Sequence, residues 1–227
     1  MNDMTEPNFD LLVIGGGSGG VRCARTAARL GARVACVEGR FWGGTCVNVG
    51  CVPKKLYVIA SEFGDAHLQA QGFGWNTLPW ELDWTQLHNK VNAEVNRLSG
   101  IYDKLLDNAG VTRLWGQARL LGPNAVEVNG QRFTARNIVI ATGAKPVIPD
   151  IPGKELALDS DGFFAIKEKP RSAIVIGGGY IAVELAGVLA GTGAATSLLY
   201  RGECVLRGFD NDVRTHVQTC MKNRGVN

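Results

Sequence analysis

The chain has 227 residues, which is enough to bury a sizeable core in one or two domains. Its 45% hydrophobic and 20% charged residues are typical of folded proteins, and its net charge of +3 is too small to favour nucleic acid as a partner. No apolar run approaches the roughly eighteen residues of a membrane span. The segment MNDMTEPNFD is acidic where a secretory signal would be basic, so we expect a cytoplasmic protein.

Residues 9–38 predict a strand, a glycine-rich turn, an alanine-rich helix and a second strand. Gly15, Gly17 and Gly20 have the spacing G-x-G-x-x-G, in which glycines form a tight turn, admit a pyrophosphate and pack the helix on the strand. The phosphates then lie at the positive end of the helix dipole. Glu38 ends the second strand, where a carboxylate can bind both ribose hydroxyls. The unit therefore predicts binding of an ADP-ribose moiety with a free diol.

Cys46 and Cys51 lie close together in the segment GGTCVNVGCVPKK. A structural zinc site is disfavoured, because it needs four ligands and the chain has no second close cysteine pair. A structural disulfide stays open, although so short a loop would stabilise weakly. A redox-active pair is favoured: residues i and i+5 of a straight helix are about 7.5 Å apart along the axis, so a bridge needs a bent backbone. Gly50, through unusual dihedrals, and Pro53 both favour such a bend.

Helical spacing of apolar residues predicts an amphipathic helix over 84–106. The following segment alternates apolar and polar residues and contains Asn129-Gly130, a signal for a two-residue hairpin. Residues 144–170 contain prolines at positions 146, 149, 152 and 170 and show little periodicity. We therefore place a connection between domains in that segment.

Residues 172–201 repeat the strand–turn–helix–strand order of the first unit. The small residues of the two turns correspond in pairs: Gly15 with Gly177, Gly17 with Gly179, and Gly20 with Ala182. One G-x-G-x-x-G motif is a weak signal, whereas two copies in the same structural context are a strong one.

The end of the second copy predicts a different nucleotide. Tyr200 stands where the first copy has Glu38, and Arg201 and Arg207 follow it. A carboxylate at this position would repel a 2′-phosphate, whereas two guanidinium groups would bind it. The second copy therefore predicts an NADPH site. The alternative is that both arginines are solvated surface charges.

The C-terminal segment predicts a helix from about Asn211 with Gly225 at its C-terminal end, after which Val226 would begin a strand. One βαβ unit and one extra helix would leave an open sheet edge, so we expect a truncated second domain. The predicted fold is α/β, with two Rossmann-like dinucleotide-binding units. Its predicted divisions are a first domain over 1–148, a connection over 149–170 and an incomplete second domain over 171–227.

The motifs GGGSGG, GGTCVNVGCVPKK, IVIATG, SDGFF and GGGYIAVELAG closely resemble those of the glutathione reductases in the flavoprotein disulfide reductase family. The resemblance covers essentially the whole chain but only about the N-terminal half of a family chain. It implies FAD at the first unit, NADPH at the second, and a redox-active Cys46–Cys51 disulfide that reduces glutathione disulfide.

The resemblance also implies roles for individual residues. Cys51 would face the flavin and Cys46 would attack the substrate disulfide, while Lys54 would lie near flavin N5 and pair with Glu184. Tyr180 would cover the nicotinamide pocket, although a packed aromatic residue is the alternative. The residues implied to bind FAD are Gly15, Gly17, Ser18, Gly19, Gly20, Glu38, Gly44, Thr45, Ala118, Thr142 and Gly143. Those implied to bind NADPH are Gly177, Gly179, Ala182, Arg201 and Arg207.

The substrate prediction depends on two helices. Arg22 and Arg25 suit an anionic disulfide, and the resemblance carries over Arg25 and Tyr102 as glutathione contacts, although core packing would equally explain Tyr102. Trypanothione reductases carry an acid and a tryptophan that are absent here, dihydrolipoamide dehydrogenases usually have an acid in place of Arg201, and mercuric reductase stays an alternative.

The C-terminal half of family enzymes forms a homodimer and supplies a His-Glu pair to the partner's active site. No histidine of this chain lies in a matching motif. We therefore expect the chain alone to have little or no glutathione reductase activity and to bind FAD weakly at best. Its function would belong to a longer glutathione-disulfide reductase, and the alternative is a non-catalytic FAD- and NADPH-binding fragment. No nucleic acid, membrane or metal partner is expected.

Overall fold

The computed structural model describes residues 6–76 and 81–227, and it divides the chain into two compact units. The first contains residues up to 52 together with 93–157, and the second contains 53–92 together with 158–227. The strands are β1 (Phe9–Ile14), β2 (Val34–Glu38), β3 (Thr112–Trp115), β4 (Ala118–Gly122), β5 (Ala125–Val128), β6 (Gln131–Ile140), β7 (Ser172–Ile176) and β8 (Ala195–Leu199). The α-helices are α1 (Ser18–Arg29), α2 (Gly44–Asn48), α3 (Cys51–Gly72), α4 (Trp84–Asp107), α5 (Ser160–Phe164), α6 (Tyr180–Gly191) and α7 (Asn211–Asn223), and a 3₁₀ turn covers Lys154–Leu156.

The first unit contains a six-stranded sheet in the order β3-β2-β1-β6-β5-β4. Its β3, β2, β1 and β6 strands are parallel, while β4, β5 and β6 pair antiparallel. Both faces of β1 are buried, because Leu12 and Val13 point to opposite sides and each belongs to a separate core cluster. This double burial explains the continuous apolar run LLVI in a strand at the middle of the sheet.

The hairpin predicted at Asn129-Gly130 is confirmed. Val128 pairs with Gln131 across a two-residue loop, and both loop residues have positive φ, 50° at Asn129 and 78° at Gly130. Two successive left-handed residues form the type I′ turn that matches the twist of paired strands. The predicted helix over 84–106 is also confirmed, since α4 covers Trp84–Asp107.

The second unit contains the parallel pair β7-β8, with α6 between the two strands. The helix predicted from about Asn211 is α7, and Gly225 after it has a φ of 84°. Val226 then forms a parallel bridge with Thr196 of β8, and Asn227 N–H donates to the Thr196 carbonyl over 3.0 Å. Backbone pairing beside β8 therefore starts where the sequence predicts a strand to begin.

The segment predicted as a connection between domains contains the short helix α5. Asp159 caps α5 by accepting a 2.8 Å hydrogen bond from Gly162 N–H. Phe163 and Phe164 are buried against Tyr57, with ring centroids 5.7 and 6.1 Å from the Tyr57 ring. Burial raises the pKa of Tyr57 to about 12. A helix of one turn leaves no periodicity to detect, because its stability comes from these aromatic contacts.

Within the described ranges, no helix is both long and apolar enough to span a bilayer.

Candidate functional site

The first glycine turn, residues 15–20, joins β1 to α1. Gly15 has a φ of 111°, and a Cβ built on it would lie 2.2 Å from the Ala141 carbonyl oxygen. A Cβ on Gly20 would lie 1.8 Å from the Gly15 carbonyl oxygen, so helix and turn are in backbone contact. Gly17 precedes α1 without a side-chain cap. The amide groups of the first helical turn therefore suit an anion, with Ser18 and Gly19 exposed at that turn.

Glu38 lies at the end of β2 and faces the first glycine turn. Its Oε2 accepts a 2.7 Å hydrogen bond from Gly16 N–H, and its Oε1 accepts hydrogen bonds from the amides of Arg40 at 2.7 Å and Phe41 at 3.2 Å. A carboxylate offers about four acceptor positions, so three amides leave roughly one for a further donor. The side chain thus fixes the turn in addition to any contact with a ribose.

Residues 43–51, the cysteine segment, pack directly on the first glycine turn. Gly43 N–H donates to the Gly16 carbonyl over 2.9 Å, and Gly43 and Gly17 form a parallel bridge. A Cβ on Gly44 would lie 2.6 Å from Gly17 Cα. Gly43 and Gly44 also have left-handed φ values of 91° and 62°. Both close approach and backbone conformation therefore require glycine at these two positions.

The two predicted thiols lie on either side of a helix break. Cys46 is half-buried in α2, and Cys51 is the exposed first residue of α3. Val49, with φ −141°, ends α2. A Cβ on Gly50 would lie 2.8 Å from the Thr45 carbonyl oxygen and 3.2 Å from Cys46 Cα. The chain therefore folds back between the cysteines, as a bridge would need.

The expected dihedral role of Gly50 is wrong. Gly50 does not have a positive φ, unlike Gly43 and Gly44. Glycine is required at position 50 because its Cα lies against the backbone of Thr45 and Cys46, which leaves no room for a side chain.

Two residues that support the cysteine segment were not predicted from the sequence. Asn48 Nδ2 donates to the carbonyls of Trp42 and Gly44, both over 2.9 Å. Ser99 Oγ donates to the same Trp42 carbonyl over 2.8 Å. The Trp42 ring in turn covers Gly16, where a Cβ would lie 2.4 Å from it. The asparagine between the two cysteines is the one sequence signal for this network, since asparagine commonly bonds nearby backbone groups.

Three further residues predicted at the first nucleotide site lie at the end of β6 and the start of β4. Thr142 and Gly143 are exposed directly after β6, and Ala141 N–H before them donates to the Ile14 carbonyl over 2.7 Å. This segment therefore ends beside the first glycine turn. Ala118 begins β4 and pairs with Val128, and β6 and β5 separate its strand from β1 in the sheet order.

The second glycine turn, residues 177–182, has the backbone of the first. Gly177 has a φ of 134°, and Gly179 precedes α6 without a side-chain cap. A Cβ on Gly177 would lie 3.6 Å from the Ala182 Cβ, so alanine fits at the third position. Arg201 and Arg207 follow β8 and are exposed. The predicted 2′-phosphate side chains are therefore accessible to a ligand of this unit.

Within the second unit, the ion pair predicted between Lys54 and Glu184 is present. Lys54 Nζ lies 2.6 Å from Glu184 Oε1, and the two side chains are 25% and 33% exposed. Glu184 is in α6, one turn after Tyr180. Tyr180 is 59% exposed, which argues against the packed-aromatic alternative.

The two predicted glutathione contacts have different environments. Arg25 is half-buried and Arg22 is exposed on α1. Tyr102 of α4 packs against the core cluster that includes Val13 and Trp42. Tyr102 is only partly buried by this packing, so the contact of Tyr102 with glutathione stays a prediction, as does that of Arg25.

The fold and the first glycine turn define the class as a dinucleotide-binding α/β protein with two cysteines held against the phosphate turn. A comparison with protein families finds a match to "Pyridine nucleotide-disulphide oxidoreductase" over residues 9–227. The chain therefore belongs to this family, and the predicted family resemblance is confirmed.

Three curated relatives are named glutathione reductase. The enzyme of Burkholderia cepacia is 47% identical over 98% of this chain and 50% of its own length. The Nostoc enzyme is 42% identical over 96% of this chain and 48% of its own length. The chloroplastic/mitochondrial enzyme of Pisum sativum is 44% identical over 89% of this chain and 39% of its own length. The chain thus spans about half the length of the curated relatives it matches, or less.

A solved structure with a similar fold is an HOCl-induced flavoprotein disulfide reductase from Escherichia coli. It superposes with a TM-score of 0.83 at 29% identity, covering 96% of this chain and 48% of the other. The predicted α/β dinucleotide-binding fold is confirmed by this match.

Proposed function

We propose that the chain is the FAD- and NADPH-binding N-terminal part of a cytoplasmic, homodimeric enzyme that reduces glutathione disulfide. The observation that carries the proposal is the backbone contact between the first glycine turn and the cysteine segment. It brings the thiol-bearing segment to the site of a bound dinucleotide. The names of the relatives support glutathione disulfide as the substrate.

The first unit fits FAD. Backbone atoms lie so close to Gly15 and Gly20 that neither position has room for a Cβ, as the tight turn of a dinucleotide site requires. The N-terminus of α1 has no side-chain cap, so its amides can bind a pyrophosphate. Ser18, Gly19, Gly44, Thr45, Ala118, Thr142 and Gly143 complete the proposed binding residues. When bound, FAD would supply the two-electron hydride chemistry that links NADPH to the Cys46–Cys51 pair.

The thiols perform the exchange with substrate. The Cys46 thiolate attacks one sulfur of glutathione disulfide, forms a mixed disulfide and releases one glutathione thiolate. The Cys51 thiolate then attacks the Cys46 sulfur, releases the second glutathione and forms the Cys46–Cys51 disulfide. The cysteine pair loses two electrons and the substrate gains them.

In the second unit, we propose that Arg201 and Arg207 bind the 2′-phosphate of NADPH and that Gly177, Gly179 and Ala182 admit its pyrophosphate. Lys54 and Glu184 would act next to the flavin ring, with the glutamate fixing the direction of the ammonium group. Tyr180 would cover the nicotinamide pocket.

The first experiment is a visible spectrum of the chain with added FAD, titrated anaerobically with NADPH. We expect a reduced protein with a long-wavelength charge-transfer band that Cys51→Ser removes and Cys46→Ser retains. A chain that binds no FAD, or two variants with the same spectrum, would overturn the proposed roles.

Substrate selectivity is tested separately by single-turnover exchange of the pre-reduced chain. Glutathione disulfide is anionic and cystamine is cationic, so we expect the chain to react faster with glutathione disulfide than with cystamine. Arg25→Gln should reduce the difference between the two rates. Cys46→Ser is the control that should abolish both reactions. Equal rates with the two disulfides would contradict selectivity for glutathione disulfide.

A further inference from the structure

The loop that carries Arg201 and Arg207 is tied to the second glycine turn. This arginine loop, residues 200–210, joins β8 to α7. Leu206 N–H donates to the Gly178 carbonyl over 2.6 Å, and the Tyr200 ring lies where a Cβ on Gly178 would come within 2.6 Å of it. The two arginines are thus carried by a loop that is in contact with the turn where the nucleotide phosphates would bind.

Leu206 has an uncommon conformation. Its φ is 58°, and its side chain is only 7% exposed. A non-glycine residue in the left-handed region is strained and persists only where its surroundings enforce it. Since Arg207 is the next residue, the direction in which it leaves the backbone depends on what holds Leu206 in place.

Side chains of α7 supply that constraint. Arg214 Nε donates to the Val205 carbonyl over 2.9 Å, and Arg214 Nη2 donates to the Cys204 carbonyl over 2.8 Å. Nη1 of the same guanidinium donates to Asn211 Oδ1 over 3.0 Å. Gln218 Oε1 accepts a 3.2 Å hydrogen bond from Val205 N–H. The two residues before Leu206 are therefore held on both their carbonyls and on the Val205 amide.

The geometry points to Arg214 as a positioning residue that sets selectivity for a 2′-phosphorylated nucleotide, by fixing the arginine loop that carries Arg201 and Arg207. This inference rests on the proposed NADPH site and deepens it. Arg214 directs three of its five N–H groups at oxygens of the loop and of Asn211, so it acts through the loop. Its bidentate contact needs a planar guanidinium, which lysine cannot replace.

The test compares Arg214→Lys with Lys222→Gln by calorimetry on the full chain. The first variant keeps the charge and loses the bidentate contact, whereas the second loses a charge from an exposed residue of the same helix. The probes are adenosine 2′,5′-bisphosphate and ADP. We expect Arg214→Lys to weaken the bisphosphate roughly tenfold while leaving ADP nearly unchanged, and Lys222→Gln to behave like the wild type. Gln218→Ala removes one bond and should weaken the bisphosphate roughly twofold.

Hydrogen exchange provides a readout that needs no nucleotide. Leu206 N–H should exchange faster in Arg214→Lys than in the wild type or in Lys222→Gln. If the wild-type chain prefers the bisphosphate and both Arg214→Lys and Gln218→Ala retain that preference, the role of Arg214 is overturned while the proposed 2′-phosphate site stands. A wild-type chain that does not distinguish the two probes would overturn the proposed 2′-phosphate site, and the inference with it.

Discussion

The two βαβ units share the backbone conformation that precedes their helices, but they differ at the third small residue of the glycine turn. Gly17 and Gly179 precede twelve-residue helices with φ values of −77° and −79°. In the first unit a Cβ at Gly20 would lie 1.8 Å from the Gly15 carbonyl oxygen, whereas the second unit has a Cβ at the matching position, that of Ala182. The third position therefore admits a methyl group in the second unit and not in the first.

The middle glycine of each turn has a different set of partners. Gly16 donates its N–H to the Glu38 carboxylate, while Gly178 lies under the Tyr200 ring. Glu38 and Tyr200 occupy the same position after superposition of the two units. Both middle glycines thus lie against an aromatic ring, Trp42 in the first unit and Tyr200 in the second, and the first turn adds a charged hydrogen bond.

The largest effect on the free energy of unfolding should come from substitutions at the third position of the glycine turns, Gly20 in the first unit and Ala182 in the second. Gly20→Ala inserts a methyl group against the Gly15 carbonyl, and we expect it to cost about 3 kcal/mol or more of unfolding free energy and to abolish FAD binding. Ala182→Gly should cost about 1 kcal/mol, because it only adds a glycine to a helix. Urea unfolding and a FAD titration measure both effects. Equal losses of unfolding free energy in the two variants would show that position 20 is no more tightly packed than position 182 in solution.

Removing the charge of Glu38 should have the next largest effect. Glu38→Gln replaces one accepting oxygen by a donor that opposes backbone N–H groups, so we expect a loss of about 2 to 3 kcal/mol. Tyr200→Phe keeps the ring on Gly178 and should change the free energy of unfolding by less than about 0.5 kcal/mol. Urea midpoints of the two variants provide the comparison. A neutral result for Glu38→Gln would refute the structural role of its carboxylate.

Alkaline pH should weaken the first unit before the second. Burial, with the nearby Glu38 and Cys23 charges, raises the pKa of Cys36 from 9.0 to about 12. The folded chain keeps this thiol protonated, whereas the unfolded chain loses the proton above pH 9. The contribution of Cys36 to the free energy of unfolding is therefore complete below pH 9 and is lost as the pH rises towards 12. We expect the free energy of unfolding to fall by at most about 2 kcal/mol by pH 10.5.

Cys36→Val tests this prediction, because Leu198 already occupies the matching position in the second unit. The variant should retain its urea midpoint between pH 8 and 10, where the wild type declines. Tyr57→Phe is the control from the second unit. Burial raises the pKa of the Tyr57 hydroxyl from its ordinary value of 10.0 to about 12, so this group should alter the profile only above pH 10. Identical profiles for Cys36→Val and the wild type would exclude Cys36 as the cause.

The smallest effect concerns a pair of matching helix positions with opposite charges. Arg22 in α1 corresponds to Glu184 in α6, but only Glu184 has the Lys54 ion pair. Glu184→Gln should cost at most about 1 kcal/mol, because the pair is partly exposed to solvent. Arg22→Gln should be within about 0.5 kcal/mol of the wild type. A double-mutant cycle with Lys54→Met measures the coupling, and zero coupling energy would contradict a stabilising pair.

Local patterns predicted much of this molecule from its sequence. Positive φ at Gly15 and Gly177, the Asn129-Gly130 turn and the start of α7 all follow from residues adjacent in the chain. The Lys54–Glu184 pair followed from family resemblance, because no periodicity relates residues so distant in sequence.

Contacts formed by tertiary packing could not be predicted in the same way. Nothing local indicates that Gly44 touches Gly17 or that Asn48 and Ser99 share the Trp42 carbonyl. Tyr102 illustrates the converse, because an aromatic residue on an apolar helix stripe has the same pattern whether it packs in a core or contacts a ligand.

The contact of Gly43 and Gly44 with the first glycine turn has a consequence for protein engineering. A Cβ on Gly44 would lie 2.6 Å from Gly17 Cα, so a side chain gained at position 44 would displace the turn. A graft of the cysteine segment into another nucleotide-binding scaffold would therefore have to replace the recipient's glycine turn with residues 15–20 of this chain. Residues 15–20 and 43–51 form one transplantable module, although more than twenty residues separate them in the chain.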